Sequence, residues 1–435
     1  MKPVIFITGL AFSQGSHQKE TSMIETLKAM ILDFQEEQLS TGVSRDLRIE
    51  AIAGKATVCI GVRRSGKSTY LFQIIQQLLD RGVNRTNILY LNFFDDRLFT
   101  LQHDGLTYIT EAYYSLYPEK KSVETVYCFF DEIQMVHHWE SFVDRLMRTE
   151  KCVVYITGSS AHMLSTEIAT QMRGRALSWE LFPFSFKEFL AYKRIDYSAS
   201  LSTKKRLIVQ KAFGHYWEAG GFPEVAGLEK HLRVKIHQEY FKALLFRDVI
   251  DRHDISHPRA VSELAHWLVD HTASLYSLNN LTGYLKSLGH AVPKASVADY
   301  LRWFEDAYFL FTVRLFDASL NRSNTNPKKI YCIDHALVVS ISSGILVNSG
   351  HLLENLVFTT IRHFYTSIFY YKTKNGREVD CVFHNKKRNP VLIQVCESLK
   401  DTVTKTRELS ALTEAISIMP IWRFLLDFQE IISNN

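Results

Sequence analysis

Ala56-Thr57-Val58-Cys59-Ile60-Gly61-Val62-Arg63-Arg64-Ser65-Gly66-Lys67-Ser68-Thr69 is the stretch on which the fold turns. Its first five residues form a short apolar run of strand length, and the last nine are a complete G-x-x-x-x-G-K-[ST]. Gly61 and Gly66 permit backbone angles and a close approach that a Cβ would block. The loop N–H groups and the N-terminus of the next helix then form an anion cradle. Lys67 is placed to bridge the β- and γ-phosphates of a nucleotide, and the Ser68 hydroxyl to coordinate Mg²⁺, so ATP and Mg²⁺ are the expected ligands. A plain tight turn is the alternative reading. A phosphate loop needs a strand before it and an amphipathic helix after it, and both are present: Leu71, Ile74, Ile75, Leu78 and Leu79 make one apolar stripe, and Gly82 is placed to end it.

Working outward, residues 20–50 read as helical, with Ile24, Leu27, Ile31 and Phe34 at helix spacing. Strands are expected at 88–93, 126–130, 152–156 and 177–181, alternating with helical stretches. That alternation predicts a parallel sheet covered by helices on both faces. Gly9 and Gly15 imitate a phosphate loop but lack the lysine. The first residues read as a buried strand or an unstructured extension, not as a signal sequence.

The strand at 126–130 runs into Asp131 and Glu132. Asp131 is expected to hold the Mg²⁺ shell and Glu132 to polarise an attacking water, which favours hydrolysis over transfer to a substrate hydroxyl. The next strand leads into Thr157-Gly158-Ser159-Ser160, where a polar side chain such as Ser159 can touch the γ-phosphate; a Ser-rich turn is the bland alternative. Arg173 and Arg175 read either as an arginine finger supplied to a neighbouring subunit, worth roughly 10³–10⁵ in rate where such fingers operate, or as a basic loop.

Bulk properties exclude little. Lys plus Arg number 51 against 46 Asp plus Glu, a net charge of +5. Over this length that permits nucleic-acid contact without arguing for it, because the footprint is a clustered basic face. Six cysteines without CxxC spacing indicate a reducing compartment, no disulfide framework and no zinc site. No apolar run approaches the roughly 20 residues that span a bilayer, so a cytoplasmic protein with no membrane partner is expected.

Near residue 185 the pattern becomes mostly helical, with breaks at Gly220-Gly221-Phe222-Pro223, His257-Pro258 and 289–293. From about 350 it becomes β-rich, with strands near 367–371, 378–383 and 391–396. In the middle, 278–288 and 293–305 suit a helix pair carrying Ser296, Asp299, Tyr300 and Arg302, with 309–316 and 329–333 as a wing. Such a unit reads DNA in the major groove or docks proteins.

In order along the chain, residues 61–69, Phe130-Asp-Glu-Ile-Gln134, Trp139-Glu140, Thr157-Gly-Ser-Ser160, Arg173-Gly-Arg175, Leu181-Phe-Pro-Phe-Ser-Phe-Lys-Glu-Phe189 and Gly220-Gly-Phe-Pro-Glu224 resemble the prokaryotic AAA-type ATPases whose C-terminal half is a domain of unknown function. The resemblance covers roughly residues 40–415. It implies an AAA+-like α/β P-loop core (46–190) after an N-terminal extension (1–45), then a helical lid (191–256), a winged-helix-like segment (257–345) and an α+β tail similar to the PD-(D/E)XK nuclease fold (346–435). A nuclease of that type needs carboxylates for Mg²⁺ and a lysine to assist water. The matching positions are Glu354, Asp380, Gln394 and Cys396. Glu354 and Asp380 are retained, but the usual Glu-x-Lys has become Gln394-Val395-Cys396, so a tail kept for shape or DNA grip is expected in place of cleavage. The function implied is an ATP-hydrolysing switch or motor that assembles as a homo-oligomer and acts on DNA or a DNA-bound partner protein. An ATP-regulated nuclease and a non-hydrolysing nucleotide-gated scaffold are the alternatives.

Overall fold

In the computed structural model, residues 14–102, 105–158, 172, 174–197, 202–344, 348–373, 376–397 and 419–434 are described. Five strands form the first sheet: β1 (Ala56–Ile60), β2 (Ile88–Asn92), β3 (Val126–Asp131), β4 (Cys152–Gly158) and β5 (Ala176–Glu180). All neighbours are parallel, in the order β2-β3-β4-β1-β5. Every residue of β1 is buried, as an apolar strand covered on both faces requires. From β1 the chain goes to the far edge, returns through β3 and β4, and finally crosses to the other side of β1. The order therefore reverses beside β1, and the crevice at the carboxyl end of such a reversal is where open α/β sheets bind ligands. The phosphate loop lies there.

The helix Lys67–Asp80 starts at Gly66 and buries Tyr70, Leu71, Ile74, Ile75 and Leu78 against the sheet. The N-terminal helix, Gln14–Glu36, ends well before residue 50, so the expected 20–50 helix is only partly present. Residues 37–55 instead form a non-helical strap across Lys67–Asp80. Gln73 Nε2 donates to the carbonyls of Thr41 and Val43, both at 2.6 Å, and its Oε1 accepts from Arg45 N at 3.2 Å. These tertiary partners, with Tyr70 Oη donating to the Leu47 carbonyl at 2.7 Å, replace the intrahelical bonds that local propensity favours.

The second sheet contains β6 (Leu275–Tyr276), β7 (Leu310–Leu315), β8 (Lys328–Cys332), β9 (Phe369–Lys372), β10 (Glu378–His384) and β11 (Pro390–Ile393). Its order is β11-β10-β9-β7-β8-β6, antiparallel except for β7 with β9. The expected wing strands exist as β7 and β8, but they do not stand apart from the tail: β9 pairs with β7, so one sheet runs across the division expected after residue 345. Helices Pro258–Asp270, Leu278–Ser287 and Lys294–Asp306 precede β7. Tyr300 on the last of them is buried, 3% exposed, and packs inward, where it cannot reach a groove.

One ion pair ties the two sheets together. Glu180, at the end of β5, accepts from both terminal nitrogens of Arg362 at 2.5 and 2.6 Å and from Tyr308 Oη at 2.7 Å.

Gly61 carries a testable constraint. It sits at φ 151°, and a Cβ there would lie 2.2 Å from the Leu181 carbonyl oxygen, backbone that cannot swing away. Gly61→Ala is expected to push the end of β5 off β1 and cost about 1–3 kcal/mol, read as a lowered midpoint in urea unfolding.

Candidate functional site

The phosphate loop is held by backbone and by one buried arginine from the strap. Lys67 is 5% exposed, and its Nζ donates to the carbonyls of Gly61 and Val62, both at 3.1 Å. Arg45 Nη1 donates to the Ser65 carbonyl at 2.7 Å, Nη2 to the Phe182 carbonyl at 2.5 Å, and Nε to Glu188 Oε1 at 2.9 Å. Glu188 in turn completes the capping box of the helix Phe186–Tyr192 with Ser185. Nothing in the periodicity around Arg45 or Glu188 marks them; 143 residues separate the pair.

Asp131 closes the site from β3. It is fully buried, and it accepts hydrogen bonds from the Thr157 hydroxyl and from Tyr90 Oη at 3.0 Å. Burial pushes its carboxyl above the ordinary carboxylate range, while the Thr157 and Ser68 hydroxyls pull it back. Thr157 also accepts from Glu132 N at 3.0 Å, so one hydroxyl on β4 fixes both acids of β3. The polar group on the third strand that reaches the acids is thus Thr157; Ser159 and Arg173 lie outside the described residues. Glu132 has a left-handed φ of 54°, which turns it out of the strand at the sheet's carboxyl end.

Val62 is buried beneath the loop. Arg63 Nε meets both oxygens of Asp248 at 2.8 and 2.6 Å, and Arg64 faces Glu224 at 3.6 Å. The Thr69 methyl lies where a Cβ on Gly42 of the strap would sit, 3.1 Å away. Arg175 is not brought to this site. It precedes β5, at the amino end of a sheet whose carboxyl end holds the loop, and bonds Asp144 Oδ1 at 2.7 Å. With a rise of about 3.3 Å per residue, the length of β1 separates it from Gly61.

The donor set suits Mg²⁺ and a nucleotide. Hydroxyl and carboxylate oxygens from Ser68 and Asp131 are hard ligands. The Ser65 hydroxyl is buried in the loop with no hydrogen-bond partner among the described residues.

A second group of acids occupies the second sheet. Glu354 on the helix Ser349–Arg362 and Asp380 on β10 do come together, but around Lys329 of β8, which the sequence placed in a wing. Lys329 Nζ lies 2.7 Å from Glu354, 2.6 Å from Glu378 and 3.0 Å from Asp380. Tyr331 Oη donates to Glu354 at 2.6 Å, and Val395 N to Asp380 Oδ2 at 2.9 Å. Gln394 and Cys396 follow the end of β11 and supply neither an acid nor an ammonium. Among the described residues no group of three or more His, Cys, Asp or Glu is arranged to hold a metal ion. An ammonium sits among the carboxylates where a nuclease would need a metal.

A phosphate loop beside β4, with a carboxylate pair one strand further on, defines a P-loop nucleotide-binding protein with the parallel sheet of AAA+ ATPases. A family model described as an AAA domain matches residues 53–190, and two described as domains of unknown function, DUF8612 and DUF4143, match 210–345 and 349–424. The uncharacterized protein MJ1544 of Methanocaldococcus jannaschii is 35% identical over 379 residues, covering 86% of this chain and 81% of that protein. The chain belongs to this family of AAA-domain P-loop proteins with C-terminal domains of unknown function. An uncharacterized protein of Haemophilus influenzae is 29% identical over 355 residues, covering 81% and 85% of the two chains. Among solved structures, the Walker-type ATPase PABY2304 of Pyrococcus abyssi matches with a TM-score of 0.42 at 13% identity, over 66% of this chain and 90% of that one. The Aeropyrum pernix ORC1 protein in complex with DNA matches at 0.31 and 12%, over 75% and 93%. No helix among the described residues is long and apolar enough to cross a membrane.

The Lys329 cluster makes a pH prediction. Burial pushes the Glu354 carboxyl up from 4.5 to about 7, with Lys329 pulling it down and Asp380 adding to the rise. A carboxyl whose folded value is raised binds its proton more tightly in the native state. Its contribution is therefore complete below pH 4.5 and is lost as pH rises through about 7. Thermal unfolding between pH 5 and 8 should show stability falling with pH from this group, and Glu354→Gln should flatten that slope. Lys329→Met, which strands two buried acids and the half-buried Glu378, should cost about 3–5 kcal/mol at pH 8 and less at pH 5.

Proposed function

We propose that the chain hydrolyses ATP with Mg²⁺ and uses the cycle as a switch or motor on DNA or a DNA-bound partner. The observation that carries the reading is the buried Asp131 carboxylate at the end of β3, near enough to the phosphate loop for the Ser68 hydroxyl to pull its carboxyl down: two groups able to hold a metal come from separate elements to the loop that carries Lys67. Ser68 and Asp131 would hold Mg²⁺, which would supply neutralising charge to the phosphates. Lys67 gives up its two loop carbonyls to take phosphate oxygens, and the loop N–H groups and the start of the helix Lys67–Asp80 bind the rest. Glu132, turned out of β3 and fixed through Thr157, accepts the proton of the attacking water. Arg175, remote from its own site, serves a neighbouring copy in a homo-oligomer, with Arg173 beside it in sequence.

Three helices followed by β7 and β8, with β6 as the third antiparallel strand, support a winged-helix reading of 257–345. With Tyr300 buried, Lys294 and Arg302 on the exposed face of Lys294–Asp306 are the groups left for phosphate contact. The tail is read as a nuclease-like fold without cleavage, because Lys329 fills the space between its acids. A substrate of ATP and unpaired cysteines fit the cytoplasm.

Phosphate release by the wild type should fall at least about a hundredfold in Glu132→Gln while nucleotide is still bound. Lys67→Ala should lose binding itself; equal silence of the wild type and Glu132→Gln would leave a non-hydrolysing scaffold. In a second experiment, duplex DNA should raise ATP turnover and ATP should raise the solution mass. Salt should weaken any DNA retention steeply if phosphate contacts supply it.

A further inference from the structure

Two arginines, Arg63 and Arg64, stand between the glycines of the phosphate loop, and both are met by carboxylates of the helical segment 223–250. Arg63 is the closely built pair. Its Nε faces both oxygens of Asp248, whose side chain is 4% exposed against 27% for Arg63. Among the described residues no hydrogen bond occupies its two terminal nitrogens. Glu132 stands close enough for its charge to act on the same guanidinium that Asp248 holds. Asp248 belongs to a π-helical turn, Leu244–Ile250, continued by Asp251 N donating to the Phe246 carbonyl at 2.7 Å. Such wide turns are rare and concentrate at functional sites, since they re-aim a side chain that an α-helix would carry elsewhere. On the neighbouring loop position, Arg64 faces Glu224, which also accepts from Tyr240 Oη.

We propose that Arg63 is the cation that recognises the γ-phosphate within the same chain, and that Asp248 is a positioning residue that aims it. A guanidinium anchored along its Nε edge keeps a fixed fork, and its free nitrogens match two oxygens of a phosphate better than a flexible ammonium does. A buried carboxylate with one cation does not release it cheaply, so Arg63 stays anchored when nucleotide enters. The site therefore distinguishes ATP from ADP only while the segment carrying Asp248 is docked on the loop. The inference rests on the ATP-binding reading above and adds the group that discriminates.

Calorimetric titration with ADP and with a non-hydrolysable ATP analogue, both with Mg²⁺, tests it on the full chain. The wild type should prefer the triphosphate. Arg63→Gln should lose triphosphate affinity by about tenfold to a hundredfold, the range of one charged hydrogen bond, and keep ADP affinity within about twofold. Asp248→Asn should shift the ratio in the same direction by less, and Asp248→Glu should restore it. If Arg63→Gln fails to fold, Arg63→Gln with Asp248→Asn removes both charges together and should give the same loss. An unchanged triphosphate-to-diphosphate ratio in these variants, or tighter triphosphate binding by Asp248→Asn, would overturn the inference while leaving ATP binding intact. A wild type that binds neither nucleotide would overturn the ATP reading itself.

Discussion

A single buried guanidinium holds the nucleotide site in register. Arg45 lies on the strap, yet it donates to the Ser65 carbonyl within the phosphate loop, to the Phe182 carbonyl beyond β5, and to Glu188 at the head of the next helix. Both partners of the Arg45–Glu188 pair are 5% exposed. Buried ions are costly unless their remaining donors and acceptors are met, and here they are: Glu188 also takes the backbone N–H groups of Asp46 and Ser185. Three segments far apart in sequence thus share one charge, and shifting any of them leaves it unsatisfied. This stiffness fixes the backbone of the phosphate loop against the sheet.

From that anchored loop, two rigid routes lead to the second sheet. One passes along β5 to Glu180, Arg362 and Tyr308. The other passes through the helical segment after residue 200, where Gly221 N donates to Asp334 at 2.7 Å and the Gly221 carbonyl accepts from Phe184 N at 2.6 Å. Asp334 simultaneously caps the helix His335–Ile341. A Cβ on Gly220 would lie 2.4 Å from the Asp334 carboxylate, so the glycine pair is there to let the two segments touch. The first sheet therefore meets the second through packed, hydrogen-bonded contacts.

The acids around the second sheet are held by a single buried lysine. Glu354, Glu378 and Asp380 converge on Lys329, which neutralises part of their charge from within. Burial and three acids oppose each other on the lysine, and the acids prevail, holding its ammonium charged well above the usual range.

How much of this was legible beforehand differs by region. The phosphate loop, the strand before it and the Asp131–Glu132 pair were readable because each is a local run whose backbone geometry demands particular residues. The five strands of the first sheet were placed to within about two residues for the same reason. The partners of those residues were not readable. Arg45 with Glu188, Arg63 with Asp248 and Lys329 with Glu354 join positions whose spacing carries no periodic signal, and a charged residue on a loop looks alike whether solvated or paired. The strands at 309–316 and 329–333 were legible as strands, but the pairing of β7 with β9 is a matter of edge pairing, which only the assembled sheet decides. Sequence by itself determined where the phosphate loop stands; tertiary structure alone decided which charges hold it there, because burial, and not residue type, turns an ordinary ion into a fixed one.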